Sequence, residues 1–375
     1  MRRKLRIAAA TLVVFLGVLA IVAIVERDWT AAQLRAVAVL ATTEDWPVLA
    51  WTVRAVTAEP RVTETVVGGA PSTVVRPGRG GGPWPTIVFV NGATRRGRHH
   101  PQVQRLARGL ARAGFLVVVP DLPGLRLGAI TPATTAATIR TVRAAADSAD
   151  AKGGQVGLYG VSVGATLALL AAESPALARR VTVVGGEAPW VQLRRVIRLA
   201  TTGLYDGKPY ETDPYVKLAL ARSLAAGLPA SPQRSRLLTE LEAVDDDDPA
   251  PLAGVTAADY RGSAAALVRL LENREPQRFP ALYGRLPATQ RAAIRALSPI
   301  YAASRLRMPV ELATAPHDKY FPPAESRALS RAAPNVRVTV TSTLDHAVPH
   351  FSAGDLVDLG RFDGFIVRYL RLARG

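Results

Sequence analysis

Gly160-Val161-Ser162-Val163-Gly164 is the stretch on which the reading of this chain turns. The apolar run before it, Gln155-Val156-Gly157-Leu158-Tyr159, has the length and composition of a buried strand. The run after it, Ala165 to Ala172, is apolar and long enough for a buried helix. A serine between two glycines, at a sharp turn from strand to helix, is left exposed at the carboxyl edge of a sheet. It also lies beside the first amides of a helix, whose positive partial charge can hold a developing oxyanion. Without that context, the string would be an ordinary glycine turn.

Working outward, strand and helix signals alternate. Arg61–Val67 and Ser72–Arg76 are β-branched and alternating, and they read as two antiparallel strands. Thr86–Val90, Phe115–Val119, Gln155–Tyr159, Val181–Val184, Pro309–Ala313 and Val336–Val340 complete eight strands. Helices are predicted over Gln102–Ala113, Thr135–Ala151 and Asp355–Arg371. Continuous apolar strands alternating with helices indicate a mostly parallel eight-stranded sheet covered on both faces. Residues 190–303 break the rhythm: they are helical and read as a cap inserted over the carboxyl edge. The run Asp245-Asp246-Asp247-Asp248 within them reads as a solvated loop, because it lacks the interspersed ligands and glycine turn of a calcium loop.

The amino end is different. After the basic residues of Met1–Arg6, Ile7–Val25 is nineteen residues without a charge. That covers about 28 Å as a helix, close to a bilayer's hydrocarbon thickness. The run continues past Val18-Leu19-Ala20, a loose match to a cleavage site, so it reads as an uncleaved transmembrane helix. Positive charge resists translocation, which leaves the amino end cytoplasmic and the remainder extracytoplasmic. The expected organisation is an anchor over 1–28, a membrane-proximal helical segment over 29–60 and a core over 61–189. The cap over 190–303 and the rest of the core over 304–375 follow.

The chain has 375 residues, 49% of them hydrophobic, and a net charge of +17. It contains no cysteine, which excludes a thiol nucleophile, a disulfide framework and a Cys-ligated zinc site. The charge is mostly scattered arginine, a solvated surface or an attraction to anionic membranes or acidic substrates. No basic motif interleaved with aromatics points to nucleic acid.

A serine nucleophile needs a base, and the base an orienting acid. There are five histidines: His99, His100, His317, His346 and His350. His346 follows the last strand and so arrives at the same sheet edge as Ser162. Asp318 follows the preceding strand, in His317-Asp318-Lys319-Tyr320-Phe321-Pro322. His350, four residues beyond His346, is an alternative base, and Glu187, in Gly185-Gly186-Glu187, an alternative acid. His99-His100 lies at an entrance or a helix start, and Asp121 in a structural turn.

With these residues in place the chain resembles the α/β-hydrolase superfamily, over about residues 61–189 and 304–375. Ser162 in its turn, Asp318 in Asp-x-x-x-Pro, His346 after the last strand and Asp121-Leu122-Pro123-Gly124 carry the likeness, and the insertion sits where this family carries its lid. The order Ser, Asp, His is that of the family. The resemblance implies Ser162 as nucleophile, His346 as general base, Asp318 as its orienter, and backbone N–H groups of Ala93 and Val163 as the oxyanion hole. Many relatives have His-Gly where this chain has Asn91-Gly92. It further implies a carboxylic ester hydrolase, less readily an amidase, that needs no metal or organic cofactor. The partners are then a small or lipid-like ester and a membrane, and no nucleic acid. An acyltransferase with the same triad, or a silent membrane-anchored binding protein, are the competing functions.

Overall fold

The computed structural model describes residues 27–351 and 356–375. Two helices open it, α1 (Arg27–Thr43) and α2 (Pro47–Val56), broken at Asp45, whose φ is positive, and at Pro47. Eight strands follow in one sheet: β1 (Arg61–Val67), β2 (Ala70–Arg76), β3 (Trp84–Val90), β4 (Leu116–Pro120), β5 (Ala151–Val161), β6 (Val181–Glu187), β7 (Val310–Thr314) and β8 (Val336–Val340). Their spatial order is β1-β2-β4-β3-β5-β6-β7-β8. β2 pairs antiparallel with β1 and β4, and every other pairing is parallel. The expected mostly parallel, eight-stranded sheet is the observed one.

Both faces are covered. On one lie α1, α3 (Pro101–Arg112) and α13 (Leu356–Leu372), around Phe89, Val117, Phe362 and Phe365. On the other lie α4 (Pro132–Ala146), α5 (Val163–Ala172) and α12 (Pro323–Ala332), around Val88, Val118, Leu158, Leu167 and Leu329. Between β6 and β7 the chain forms the helical insertion: α6 (Leu193–Thr202), α7 (Pro214–Ala226), α8 (Pro232–Ala243), α9 (Gly262–Glu272), α10 (Phe279–Gly284) and α11 (Ala288–Ala296). Trp190 ties it to the core, its indole N–H donating to the Leu297 carbonyl at 3.0 Å.

Two expectations change, and a third is not reached. The helix predicted over Thr135–Ala151 starts earlier and stops earlier. Thr131 caps it with Pro132 at its first position, and the chain turns after Ala146 so that Ala151 already pairs with Trp84. The aspartate run is more than a solvated loop. Asp246 takes the guanidinium of Arg222, a fully buried side chain, at 2.5 Å, and that of Arg95 at 3.3 Å. Among the described residues no helix is long and apolar enough to cross a membrane. The anchor read over Ile7–Val25 lies outside the described residues.

The segment after that run is integral to the molecule. Ala32, Ala36, Val39 and Leu40 form a buried stripe on α1 at helical spacing. α1 approaches α3 closely at Gly109, where a Cβ would stand 2.8 Å from the Thr42 hydroxyl.

Candidate active site

β5 ends at Val161 and α5 begins at Val163, so Ser162 occupies the turn alone. Its φ of 56° and ψ of −123° lie where a non-glycine residue is strained. The turn is held by its surroundings. The Ser162 N–H donates to the Glu187 carbonyl at 2.7 Å, and the Ser162 carbonyl accepts from the Ala165 N–H at 3.0 Å. A Cβ on Gly160 would run into the backbone of Gly164 and Ala165, and one on Gly164 into the carbonyls of Val90 and Asn91. Only glycines allow the strand end, the turn and β3 to approach this closely.

Two further strands deliver the partners. After β7, Asp318 is fully buried. Its Oδ1 accepts from the backbone N–H groups of Tyr320 at 2.8 Å and Phe321 at 3.0 Å, an Asx turn that fixes the carboxylate. After β8, His346 sits in a two-residue-loop hairpin (Leu344-Asp345 against Val348-Pro349) at φ 54°. Its Nδ1 is 2.9 Å from Asp318 Oδ2 and 3.0 Å from Oδ1, and its Nε2 is 2.8 Å from Ser162 Oγ. Tyr320 stacks on the imidazole, with centroids 4.1 Å apart and planes at 21°, and Phe321 meets it edge-on at 5.8 Å. The ring is therefore fixed by one carboxylate and two aromatics.

Ser162, Asp318 and His346, predicted from their places along the chain, thus form one hydrogen-bonded line. The alternatives are not part of that line. His350 is exposed and off the cavity lining. Glu187 faces the phenol of Tyr159, which donates to its Oε1. Burial raises the Glu187 carboxyl to about 7, partly offset by that hydrogen bond. Asp121 takes ion pairs from Arg98 and Arg126, as a turn residue would. Of the two adjacent histidines, His100 lines the cavity and His99 does not; burial, with Arg96 and Arg105 nearby, holds the His100 imidazole below its ordinary range.

Ser162 and His346 open onto a cavity of about 330 Å³, lined also by Ala93 and Val163, within the size range of small-molecule sites. Val163 is in the first turn of α5, where N–H groups have no intrahelical acceptor. Asn91 is buried, and its side-chain N–H donates to the Gly92 carbonyl at 2.7 Å, bracing the loop that presents Ala93. The cavity is mostly apolar and its walls come from both faces of the sheet. The insertion contributes Tyr215, Val216 and Leu220, while α1 contributes Val39 and Leu40 and α13 contributes Phe362 and Ile366. The contribution of α1 is not apparent in the sequence, since an amphipathic stripe says that a helix packs but not against what. Tyr320 and Phe321 carried one usable signal, their position two and three residues after an aspartate in the loop that follows a strand. Among the described residues no three His, Asp or Glu side chains gather as a metal would require.

The family model described as an alpha/beta hydrolase fold matches residues 85–353. The chain belongs to this family. No curated protein matches it. Among solved structures, a Legionella pneumophila protein provisionally named a hydrolase superposes with a TM-score of 0.56 at 15% identity, over 90% of this chain and 94% of that one. The cell-wall-degrading esterase LipA of Xanthomonas oryzae gives 0.53 at 16%, over 83% and 90%. At these identities the likeness is one of fold. The α/β-hydrolase assignment accounts for the strand order and for the carboxyl-edge position of the three polar side chains, while α1 and α2 precede the matched region.

Proposed function

We propose that this α/β-hydrolase cleaves carboxylic esters through an acyl-serine intermediate, with Ser162 as nucleophile, His346 as general base and acid, and Asp318 as its orienter. The observation that carries the reading is the unbroken line from Ser162 Oγ through both nitrogens of His346 to the buried carboxylate of Asp318. In the first step Oγ attacks the ester carbonyl carbon while its proton passes to His346 Nε2. Asp318 accepts from Nδ1–H and stabilises the imidazolium. The carbonyl oxygen, now an oxyanion, lies against the N–H groups of Val163 and Ala93. Collapse breaks the bond to the alcohol oxygen, which takes the proton from Nε2. Water then repeats the sequence on the acyl-serine, releasing the acid and restoring Ser162.

The apolar lining favours an acyl or alcohol part without charge, and the run Ile7–Val25 supports a membrane anchor. The test is a fluorophosphonate probe. Labelling should map to Ser162, and Ser162→Ala should lose labelling and several powers of ten in ester turnover. Equal turnover in the two proteins would end the proposal.

A further inference from the structure

α2 is an anomaly of the fold. Its ten residues, Pro47-Val48-Leu49-Ala50-Trp51-Thr52-Val53-Arg54-Ala55-Val56, carry one charge, yet only Ala50 is buried. Val48 is 75% exposed and Trp51 69%. A helix this apolar is normally covered on most sides. The exposed apolar surface extends beyond it. Trp46, just before α2, packs edge-on against Phe351 with ring centroids 5.0 Å apart, which brings the start of α2 to the segment leading into α13. At the start of α13, Leu356 and Val357 are exposed at 72% and 71%. Val348 is half exposed and also lines the catalytic cavity, as do Thr43 and Glu44 just before α2. The patch therefore borders a mouth of the cavity.

We propose that this face, α2 with Val348, Leu356 and Val357, docks onto an anionic lipid bilayer and admits the apolar part of a lipid ester from that bilayer past Val348 to Ser162. Three observations commit the patch to a bilayer. The chain outside the structure holds nineteen consecutive uncharged residues and ends where α1 begins. α1 is seventeen residues long, about 25 Å, so a bilayer entered by that segment lies within reach of α2. The net charge of +17 is complementary to anionic headgroups, and an exposed tryptophan among aliphatic residues suits the interfacial region. The docking stands on the patch itself, while the delivery of an ester rests on the proposed hydrolysis.

The absence of cysteine makes labelling direct. Trp51→Cys, Val357→Cys and, as control, Lys152→Cys at the opposite, amino-terminal edge of the sheet are made in the full chain. Each carries an environment-sensitive fluorophore and is reconstituted in vesicles of equal parts phosphatidylcholine and phosphatidylglycerol. Lipids brominated on their acyl chains should quench positions 51 and 357 by about twofold or more and leave 152 unchanged. Labels at 51 and 357 that only aqueous iodide quenches would overturn the proposal. So would labels shielded from both quenchers, which would show that residues 1–26 or a second copy cover the patch. In the unlabelled chain, Trp51→Asp should cut turnover of a vesicle-embedded long-chain ester about tenfold and leave a soluble short-chain ester within twofold. Equal rates on the embedded ester would refute delivery through this face. A wild type inactive on both esters would instead refute the hydrolysis, and the quenching would still decide the docking.

Discussion

Asp318→Asn isolates the role of one oxygen. The Asp318 carboxylate serves two sets of donors: Oδ1 takes the N–H groups of Tyr320 and Phe321 and lies 3.0 Å from His346 Nδ1, while Oδ2, at 2.9 Å, faces that nitrogen alone. Asparagine has a single acceptor oxygen, so in either orientation its NH2 confronts a donor. Turning the NH2 toward the backbone would leave two buried N–H groups unsatisfied, at about 1–3 kcal/mol each. Turning it toward His346 sacrifices one contact, so this orientation wins. Nδ1 must then become an acceptor, and the proton moves to Nε2, the nitrogen that faces Ser162 at 2.8 Å. A protonated Nε2 cannot take the serine proton. The expected loss is about 10⁴-fold in kcat, equivalent to about 5.5 kcal/mol, with KM little changed. Stability should fall by no more than about 1–3 kcal/mol, one buried contact. Steady-state kinetics on a chromogenic ester, with urea unfolding of the same preparation, tests both. A loss of less than about tenfold in a folded variant would refute the assigned role of Asp318.

Other expectations are independent of that one. Burial raises the Glu173 carboxyl from 4.5 to about 8, against a smaller pull from Arg305, and its Oε1 finds no partner among the described residues. The folded chain keeps this proton where the unfolded chain loses it, so stability should fall as pH rises from about 4.5 to 8, by at most about 1.4 kcal/mol per unit. Glu187 adds to the slope below about 7, and Glu173→Gln should flatten it in urea titrations between about pH 5 and pH 8. Arg222→Leu strands the carbonyl of Leu241 and leaves the Val244 carbonyl and the Asp246 carboxylate with Arg95 alone, and should cost about 3–5 kcal/mol, seen as a lower urea midpoint at unchanged m. Tyr320→Leu removes the ring stacked on His346 and should lower kcat about tenfold, because that stacking orients the imidazole.

The sheet was legible because its strands are short, apolar and β-branched. Arg61–Val67 and Val336–Val340 have the bounds read from the sequence. The ends of α4 were less so, since Asp147 to Asp150 offers no glycine or proline stop and the turn there is set by the pairing of Ala151 with Trp84. The polar groups of the site were legible as positions after strands, which a parallel sheet brings to one edge. What closes the site was not. Beyond their places after Asp318, nothing marks Tyr320 and Phe321 as the groups that hold the imidazole, and Val39 and Leu40 fall in a segment expected only to be helical and near a membrane. Asp246 read like its three neighbours, because the buried arginine it serves is twenty-four residues away.

Ser162 and His346 share a feature that Asp318 lacks: both hold a positive φ as non-glycine residues. The two residues between which the proton would pass are thus kept in place against their own conformational preference, at roughly 1–3 kcal/mol each, by packing that lies outside them. Such positions are the first to relax when that packing loosens. Warming, or a cavity opened anywhere beneath the turn, should therefore silence the site while the sheet is still folded. Ester turnover should accordingly be lost at a lower temperature than the sheet's cooperative unfolding.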